Sequence, residues 1–359
     1  MANSAGQIAK LRALPIFYCV GLLVVVGLLC VSACSTIASG ELAFTFITVV
    51  PEAVIRDERA SSVVALTQLV EALTDGQVTL AIEPVGQRCR QAEDCLGKLK
   101  TGDIDVYRLT VDELIGLFPE LQVLNIPYLI ENETVAKRVF SGAFFARMRD
   151  ALLFRTGLRL MAVSNAGGWR HIANDVHEVQ TPEDLTGLIL ATFDAPVQIE
   201  TTRALGAVPL TRRRDSDDLS AMVKSQGIRT GVLDLLAEDG KTRPSHITLD
   251  RHNYMVALWV MNDQSFGEMP LDLQMIVQLG FDELKRLTLG FSDTRESEAL
   301  AAFEAAGGHV YVPTREQHRS FVMAAGRVST WFMDEYGYEW LVWFEGAIAE
   351  AEREIELVR

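Results

Sequence analysis

Arginine is the residue whose placement in this chain suggests chemistry. Arg170 follows Gly167-Gly168-Trp169, where one α/β unit of the sequence gives way to a second. In open α/β proteins ligands sit beyond strand ends and between lobes, and a guanidinium there can clamp a carboxylate bidentately. The other reading of Arg170 is a surface arginine at a domain junction. Arg212-Arg213-Arg214 is the densest basic run of the chain and lies in the loop after a Val208-Pro209-Leu210 strand. That run reads either as a ligand site or as a solvated loop paired with Asp215, Asp217 and Asp218. No catalytic constellation accompanies these arginines: GxSxG, HExxH, Walker A and GxGxxG patterns are all absent. The six histidines have no metal-ligand spacing, so neither a metal nor a cofactor is expected, and an enzyme is disfavoured.

Charge and cysteine usage narrow the setting. Lys10 and Arg12 precede an uncharged apolar stretch over residues 14–31, which ends Val31-Ser32-Ala33-Cys34. A positive start, an apolar core and small residues before a cleavage point make a secretory signal. The cysteine after the small pair resembles a bacterial lipobox, in which Cys34 is acylated and becomes the new N-terminus. An uncleaved membrane anchor is the other reading, because a spanning helix needs ~20 apolar residues. Either way the body lies outside the cytoplasm, tethered to a membrane. Without residues 1–33 the net charge moves from −15 to −17, since that segment holds two basic residues and no acid. Such a body is a poor nucleic-acid binder, because phosphate contacts need clustered Lys and Arg. Cys89 and Cys95 remain in the body, and a disulfide pinning a loop to a helix at residues 91–100 is expected, with two free thiols as the alternative.

The elements that must position the arginines alternate. Residues 42–50 are β-branched and aromatic, as in a buried strand, and residues 59–73 place Val63, Leu66, Leu69, Val70 and Leu73 on one helical face. Strands follow at 78–82 and 104–106 around the 91–100 helix, then helix over 132–154 and a strand at 158–163. Thr181-Pro182-Glu183-Asp184 opens a short helix, with Thr181 as cap and Pro182 at its first position. Strands at 188–191 and 208–210, helices at 197–205 and 216–224, and a strand at 252–261 come next. Pro270 starts a long helix running toward Leu300, and Arg315 onward is helical and rich in aromatics. The βαβ order predicts an α/β fold with mostly parallel, doubly wound sheets in two lobes.

At this point the chain resembles a family. Trp169-Arg170, the segment from Thr181 through Pro182, Glu183 and Asp184 to Leu188, and Leu205-Gly206-Ala207-Val208-Pro209-Leu210 look like the signature of DctP-type TRAP transporter solute-binding proteins. Thr74-Asp75-Gly76, Thr101-Gly102-Asp103, Ile126-Pro127-Tyr128, Met269-Pro270-Leu271 and Gly307-Gly308-His309 occur in the family's order as well. The resemblance covers residues 42–352 and implies a two-lobed periplasmic-binding-protein-like fold, with a long helix spanning both lobes. Residues 42–166 with 248–282 would form lobe I, and 167–247 with 283–359 lobe II. It further implies capture of a small organic acid, delivery to the membrane subunits of a TRAP permease, and ligand contacts from Trp169 and Arg170. The family's main clamp, a second arginine, falls where this sequence has Ala191. Arg213 or Arg214 is the expected source of replacement charge. The alternative function is a divergent lipoprotein that serves as a sensor or envelope interaction protein without transport.

Overall fold

The computed structural model describes residues 43–51, 59–212, 224–237, 244–289 and 294–358. Cys34, Arg213, Arg214 and most of the expected 216–224 helix lie outside the described residues. Nine strands are described: β1 (Phe44–Val50), β2 (Val78–Pro84), β3 (Val106–Thr110), β4 (Leu158–Asn174), β5 (Ile189–Phe193), β6 (Val208–Arg212), β7 (Gly227–Gly231), β8 (His246–Asn262) and β9 (His309–Tyr311). The helices in the first half are α1 (Arg59–Leu73), α2 (Ala92–Thr101), α3 (Glu133–Val139), α4 (Ala143–Thr156) and α5 (Pro196–Ala204). Those that follow are α6 (Val232–Ala237), α7 (Asp263–Gly267), α8 (Leu271–Thr288), α9 (Thr294–Ala305), α10 (Arg315–Ala325), α11 (Arg327–Tyr336) and α12 (Glu339–Val358). Short 3-10 turns at Val111–Leu114, Pro119–Asn125 and Pro182–Leu185 complete the order.

All nine strands belong to one sheet in the order β2-β1-β3-β8-β4-β7-β5-β6, with β9 on β8. The β1–β2, β1–β3, β5–β6, β5–β7 and β8–β9 pairs are parallel, whereas β8 and β4 run antiparallel to each other and to their other inner neighbours. Helices cover both faces at each end, as alternating strands and helices require. At the β1 end, Leu66, Val70, Val277 and Phe281 of α1 and α8 bury one face, and Leu99, Met148 and Phe344 bury the other. At the β5 end, Leu185, Leu205 and Phe321 form one apolar layer, and Leu235, Ile247 and Phe303 the opposite one.

The strands β4 and β8 hold the two ends together. Each has 17 residues, far longer than the six and ten expected from 158–163 and 252–261. Hydrophobic patterning marked only their apolar segments; beyond these the ladder continues through Asn165, Trp169, Arg170 and Ile172, opposite Val256, Tyr254, Asn253 and Thr248. Their ladder is interrupted by register shifts at Leu160/Ala162, Asn165/Trp169 and Arg170/Ile172. Asn165 closes the central one, its Oδ1 accepting from the amides of Gly167 and Gly168 at 2.7 Å each. Gly168 has φ +80°, a conformation that side chains rarely adopt.

Other boundaries moved for local reasons. The strand expected at 104–106 forms over Val106–Thr110, paired on one side with β1 and on the other with β8. The expected helix at Thr181-Pro182-Glu183-Asp184 is a single 3-10 turn, with Asp184 accepting from the backbone and hydroxyl of Thr181. The helix from Pro270 ends at Thr288, where Leu289 turns to extended backbone and buries its side chain, and helix resumes at Thr294. Cys89 and Cys95 are disulfide-bonded, tying the loop after β2 to α2.

Candidate functional site

A cleft of about 510 Å³ opens between the first end of the sheet and the tip of β5. Leu96 and Lys100 of α2, Asp112 and Glu113 of the turn after β3, and Phe193-Asp194 line it. Arg170 lies behind this wall and is 3% exposed. Its Nη2 stands 3.5 Å from Asp112 Oδ2, and its guanidinium carbon is 5.4 Å from the centre of the Phe193 ring. The other oxygen of Asp112 accepts from Asn125 Nδ2 at 2.6 Å. Arg170 is therefore at the back of the cleft, with an internal carboxylate beside it.

Trp169 faces the other way, because adjacent strand residues point to opposite faces. Its indole N–H donates to Glu133 at 2.6 Å and its ring meets Tyr254 edge-on at 5.2 Å. It lines a separate cavity of about 190 Å³ with His171, Arg251, Tyr254 and Glu296. The sequence motif Trp169-Arg170 thus serves two places, and only Arg170 adjoins the cleft. Ala191 is buried in the apolar layer with Ala173, Ile228 and Phe303. Arg212 ends β6 with its guanidinium 4.5 Å from the Phe193 ring, so the basic run starts at the cleft wall before leaving the described residues.

Sequence reasoning missed Arg229, which it placed only in a segment with no assigned role. Arg229 is on β7, opposite Ile172 of β4, and Arg170 is opposite Gly231. The two arginines therefore lie on one face of neighbouring strands, two positions apart. Gly231 is required at this crossing: an added Cβ would lie 2.6 Å from Met255 Cε and 3.0 Å from the Gly167 carbonyl oxygen. Arg229 is 4% exposed and donates to Thr202 Oγ1 at 3.1 Å, Gln198 O at 2.8 Å and Gln198 Oε1 at 3.1 Å, all on α5. Burial, and then the charge of Arg170, press its pKa down to about 10. No sequence signal short of strand order could pair Arg170 with Arg229.

A second buried polar group adjoins the first. Asp250 is fully buried on β8 and accepts from Tyr128 Oη at 2.7 Å, while His252 Nδ1 lies 2.9 Å from its Oδ2. His171 Nδ1 accepts from the Arg251 amide, which directs the other ring nitrogen toward Glu296, 3.4 Å away. Burial pushes the Asp250 carboxyl up, but His252, His171 and Tyr128 outweigh it and hold it below the usual range. Burial drives the His252 imidazole down to about 4, so it is neutral near pH 7 and donates to Asp250. Tyr128 and Arg251 both adopt left-handed backbone, with φ +61° and +52°, and the Tyr128 amide donates to His252 O at 2.7 Å.

The comparisons with known proteins fall on this arrangement. The family described as bacterial extracellular solute-binding protein, family 7 (DctP) matches residues 56–211 and 243–335. The chain belongs to this family. Among curated relatives, a solute-binding protein of Verminephrobacter eiseniae is 27% identical over 225 residues, 61% of this chain and 64% of that one. The 2,3-diketo-L-gulonate-binding periplasmic protein YiaO of Escherichia coli is 27% identical over 142 residues, 40% of this chain and 42% of that one. The match thus spans less than two thirds of these relatives' lengths. Among solved structures, the sugar acid binding protein DctPAm of Advenella mimigardefordensis, in complex with galactonate, superposes with TM-score 0.76 at 17% identity, covering 86% of this chain and 99% of that one. A TRAP periplasmic solute-binding protein of Sulfurospirillum deleyianum with bound succinate gives 0.72 at 19% identity, covering 86% and 98%. At these identities the structures establish the two-lobed α/β fold. The family is one of solute-binding proteins that act outside the cytoplasm, and among the described residues no helix is long and apolar enough to cross a membrane.

Proposed function

We propose that this family member captures a small organic acid in the cleft between its two ends and presents it to the membrane subunits of a TRAP permease. The observation that carries this reading is a buried guanidinium, Arg170, against the Asp112 and Phe193 wall of the cleft, with a second, Arg229, on the neighbouring strand. Such charges are costly to bury, and an anion that closes over them returns the cost. The relatives support the class of solute, since diketogulonate, galactonate and succinate are all organic acids. Arg213 and Arg214, which follow Arg212 in the sequence, are proposed to add positive charge to the solute site. Trp169 contributes by fixing the strand beneath Arg170, held by Glu133 and Tyr254. Lobes of 42–166 with 248–282 and 167–247 with 283–359 hinge where β4 and β8 lose register. Acylation of Cys34 anchors the protein to the outer face of a membrane.

Thermal shift and calorimetry over a panel of galactonate, glucuronate, 2,3-diketogulonate and succinate test the capture. A ligand bound only by the folded state raises Tm by mass action. A rise with at least one acid is the expected result. No rise with any of them defeats this reading and favours a sensor or envelope interaction role without transport. For the anchor, intact-mass analysis of membrane-fraction protein is expected to give a diacylated chain beginning at Cys34, and an unmodified Met1 terminus refutes it.

A further inference from the structure

The cavity on the Trp169 face of the crossing strands carries opposite charges that do not meet each other. Its walls come from four elements: β4 gives Trp169 and His171, β8 gives Arg251 and Tyr254, α3 gives Glu133, and α9 gives Glu296. Opposite His171 the ladder opens into a bulge, where β8 has four residues, 249–252, against one of β4. A bulge re-aims side chains, and in this one Arg251 takes left-handed backbone, φ +52°, which side chains rarely adopt. The turn sets two groups at once. The Arg251 amide donates to His171 Nδ1 at 3.3 Å, so the N–H of that ring is at Nε2. His171 is 1% exposed, and among the described residues its Nε2 makes no hydrogen bond. The Arg251 guanidinium is at the exposed rim, 5.8 Å from the centre of the Trp169 ring. Glu296 Oε1 stands 3.4 Å from His171 Nε2, and Glu133 accepts from the Trp169 indole at 2.6 Å. Among the described residues neither carboxylate has a lysine or arginine within ion-pair distance, and Arg251 has no carboxylate.

We propose that this cavity is a second ligand site, separate from the cleft, and that it takes a small zwitterionic amino acid. Arg251 and the His171 N–H receive the carboxylate, and Glu133 and Glu296 receive the ammonium. The Trp169 and Tyr254 rings, edge-on at 5.2 Å, flank the carbon atoms. Opposite charges held apart around one cavity are bridged by a molecule that carries both, through charge-assisted hydrogen bonds at each end. A simple anion would meet two carboxylates, and a simple cation would meet the guanidinium, so part of the wall opposes either. Volume limits the size. About 190 Å³ is the space of about six water molecules, below the ~300 Å³ at which drug-sized pockets begin. The site is distinct from solute capture, because Arg170 points to the opposite face and none of these residues lines the cleft.

The test is calorimetry on the whole chain with L-alanine and β-alanine as probes. Propionate and ethylamine serve as controls, since they lack the ammonium and the carboxylate of both amino acids respectively. A Kd of about 1 mM or tighter is expected for at least one amino acid, with both controls at least ~10-fold weaker. Arg251→Gln and Glu296→Gln are each expected to weaken that amino acid at least ~10-fold. Absence of any binding at about 1 mM by either amino acid overturns the proposal. So does a control that binds within ~10-fold of the better amino acid, because the site then reads one charge and not two. A smaller loss in either variant, with its fold checked by circular dichroism, removes that side chain from the site and overturns the pairing. The comparison of amino acids with controls uses the unmodified chain, so it decides even where a variant fails to fold. None of these outcomes bears on capture of an organic acid in the cleft.

Discussion

Two buried polar groups adjoin each other on β4, β7 and β8, and they differ in how their hydrogen bonds and charges are met. The Asp250 group closes on itself: Tyr128 and His252 both satisfy one carboxylate, and His171 stands 3.9 Å from it. Its hydrogen bonds come from neutral donors within the protein, and its negative charge acts on the neighbouring Arg229. The Arg170–Arg229 group has one carboxylate in ion-pair contact, Asp112 beside Arg170, while Asp250 and Asp112 act on Arg229 from beyond that distance. A closed network makes a rigid crossing between the two ends of the sheet, whereas a buried arginine beside a cleft suits an anion that comes and goes. The difference teaches that a buried charge suggests a ligand site where it adjoins a cleft, and a structural role where its hydrogen bonds close within the fold.

This contrast is broken most directly by Asp250→Ala. It strips the carboxylate from Tyr128 and His252 at a point where Tyr128 and Arg251 already hold strained backbone. The expected loss is about 4 kcal/mol in urea unfolding, because buried partners lose their counter-group. A loss below about 1 kcal/mol would show that the network is not a closed structural unit.

The second test is pH. His252 is neutral in the fold with a pKa near 4, against 6.5 for the free side chain. Between those values the unfolded chain binds more protons, so this contribution is complete above pH 6.5 and is lost as pH falls toward 4. A decline on the order of 3 kcal/mol is expected over that window. His252→Gln is expected to flatten the profile, and an unchanged slope in that variant counts against the assignment.

Asp112→Asn sharpens the other side of the comparison. Removing the counter-charge of Arg170 is expected to cost about 2 kcal/mol of solute-free stability while strengthening binding of an anionic probe. Calorimetry with galactonate checks the second half; weaker binding would mean that Asp112 contacts the solute rather than balancing Arg170. The smallest effect is expected from Thr202→Val, which removes one neutral acceptor from Arg229. Its cost is about 1 kcal/mol, with anion affinity changed little, and calorimetry beside urea unfolding measures both.

Much of this was legible beforehand. The Thr181-Pro182-Glu183-Asp184 opening, the helix expected at 197–205 and the apolar strands at 42–50 and 78–82 are local patterns, and each appears within a few residues of its expected place. Arg170 could be singled out because glycines and a change of α/β unit flank it. The extents of β4 and β8 were not legible, since irregular, partly polar stretches interrupt their ladder and no local pattern marks where pairing resumes. The helix after Pro270 stops because Leu289 finds a buried pocket, which no periodicity encodes.

The amino-acid sequence alone determined the family and most of the order of elements, because these rest on neighbouring residues. Only the tertiary structure decided which charges meet. Asp112 reaches Arg170 from 58 positions away, and Arg229 reaches Gln198 from 31. Both contacts depend on the strand order β3-β8-β4-β7-β5, which brings distant segments side by side. Electrostatic balance is a property of distance and burial in space, so the pairing of Arg170 with Arg229 became visible only once the sheet had assembled.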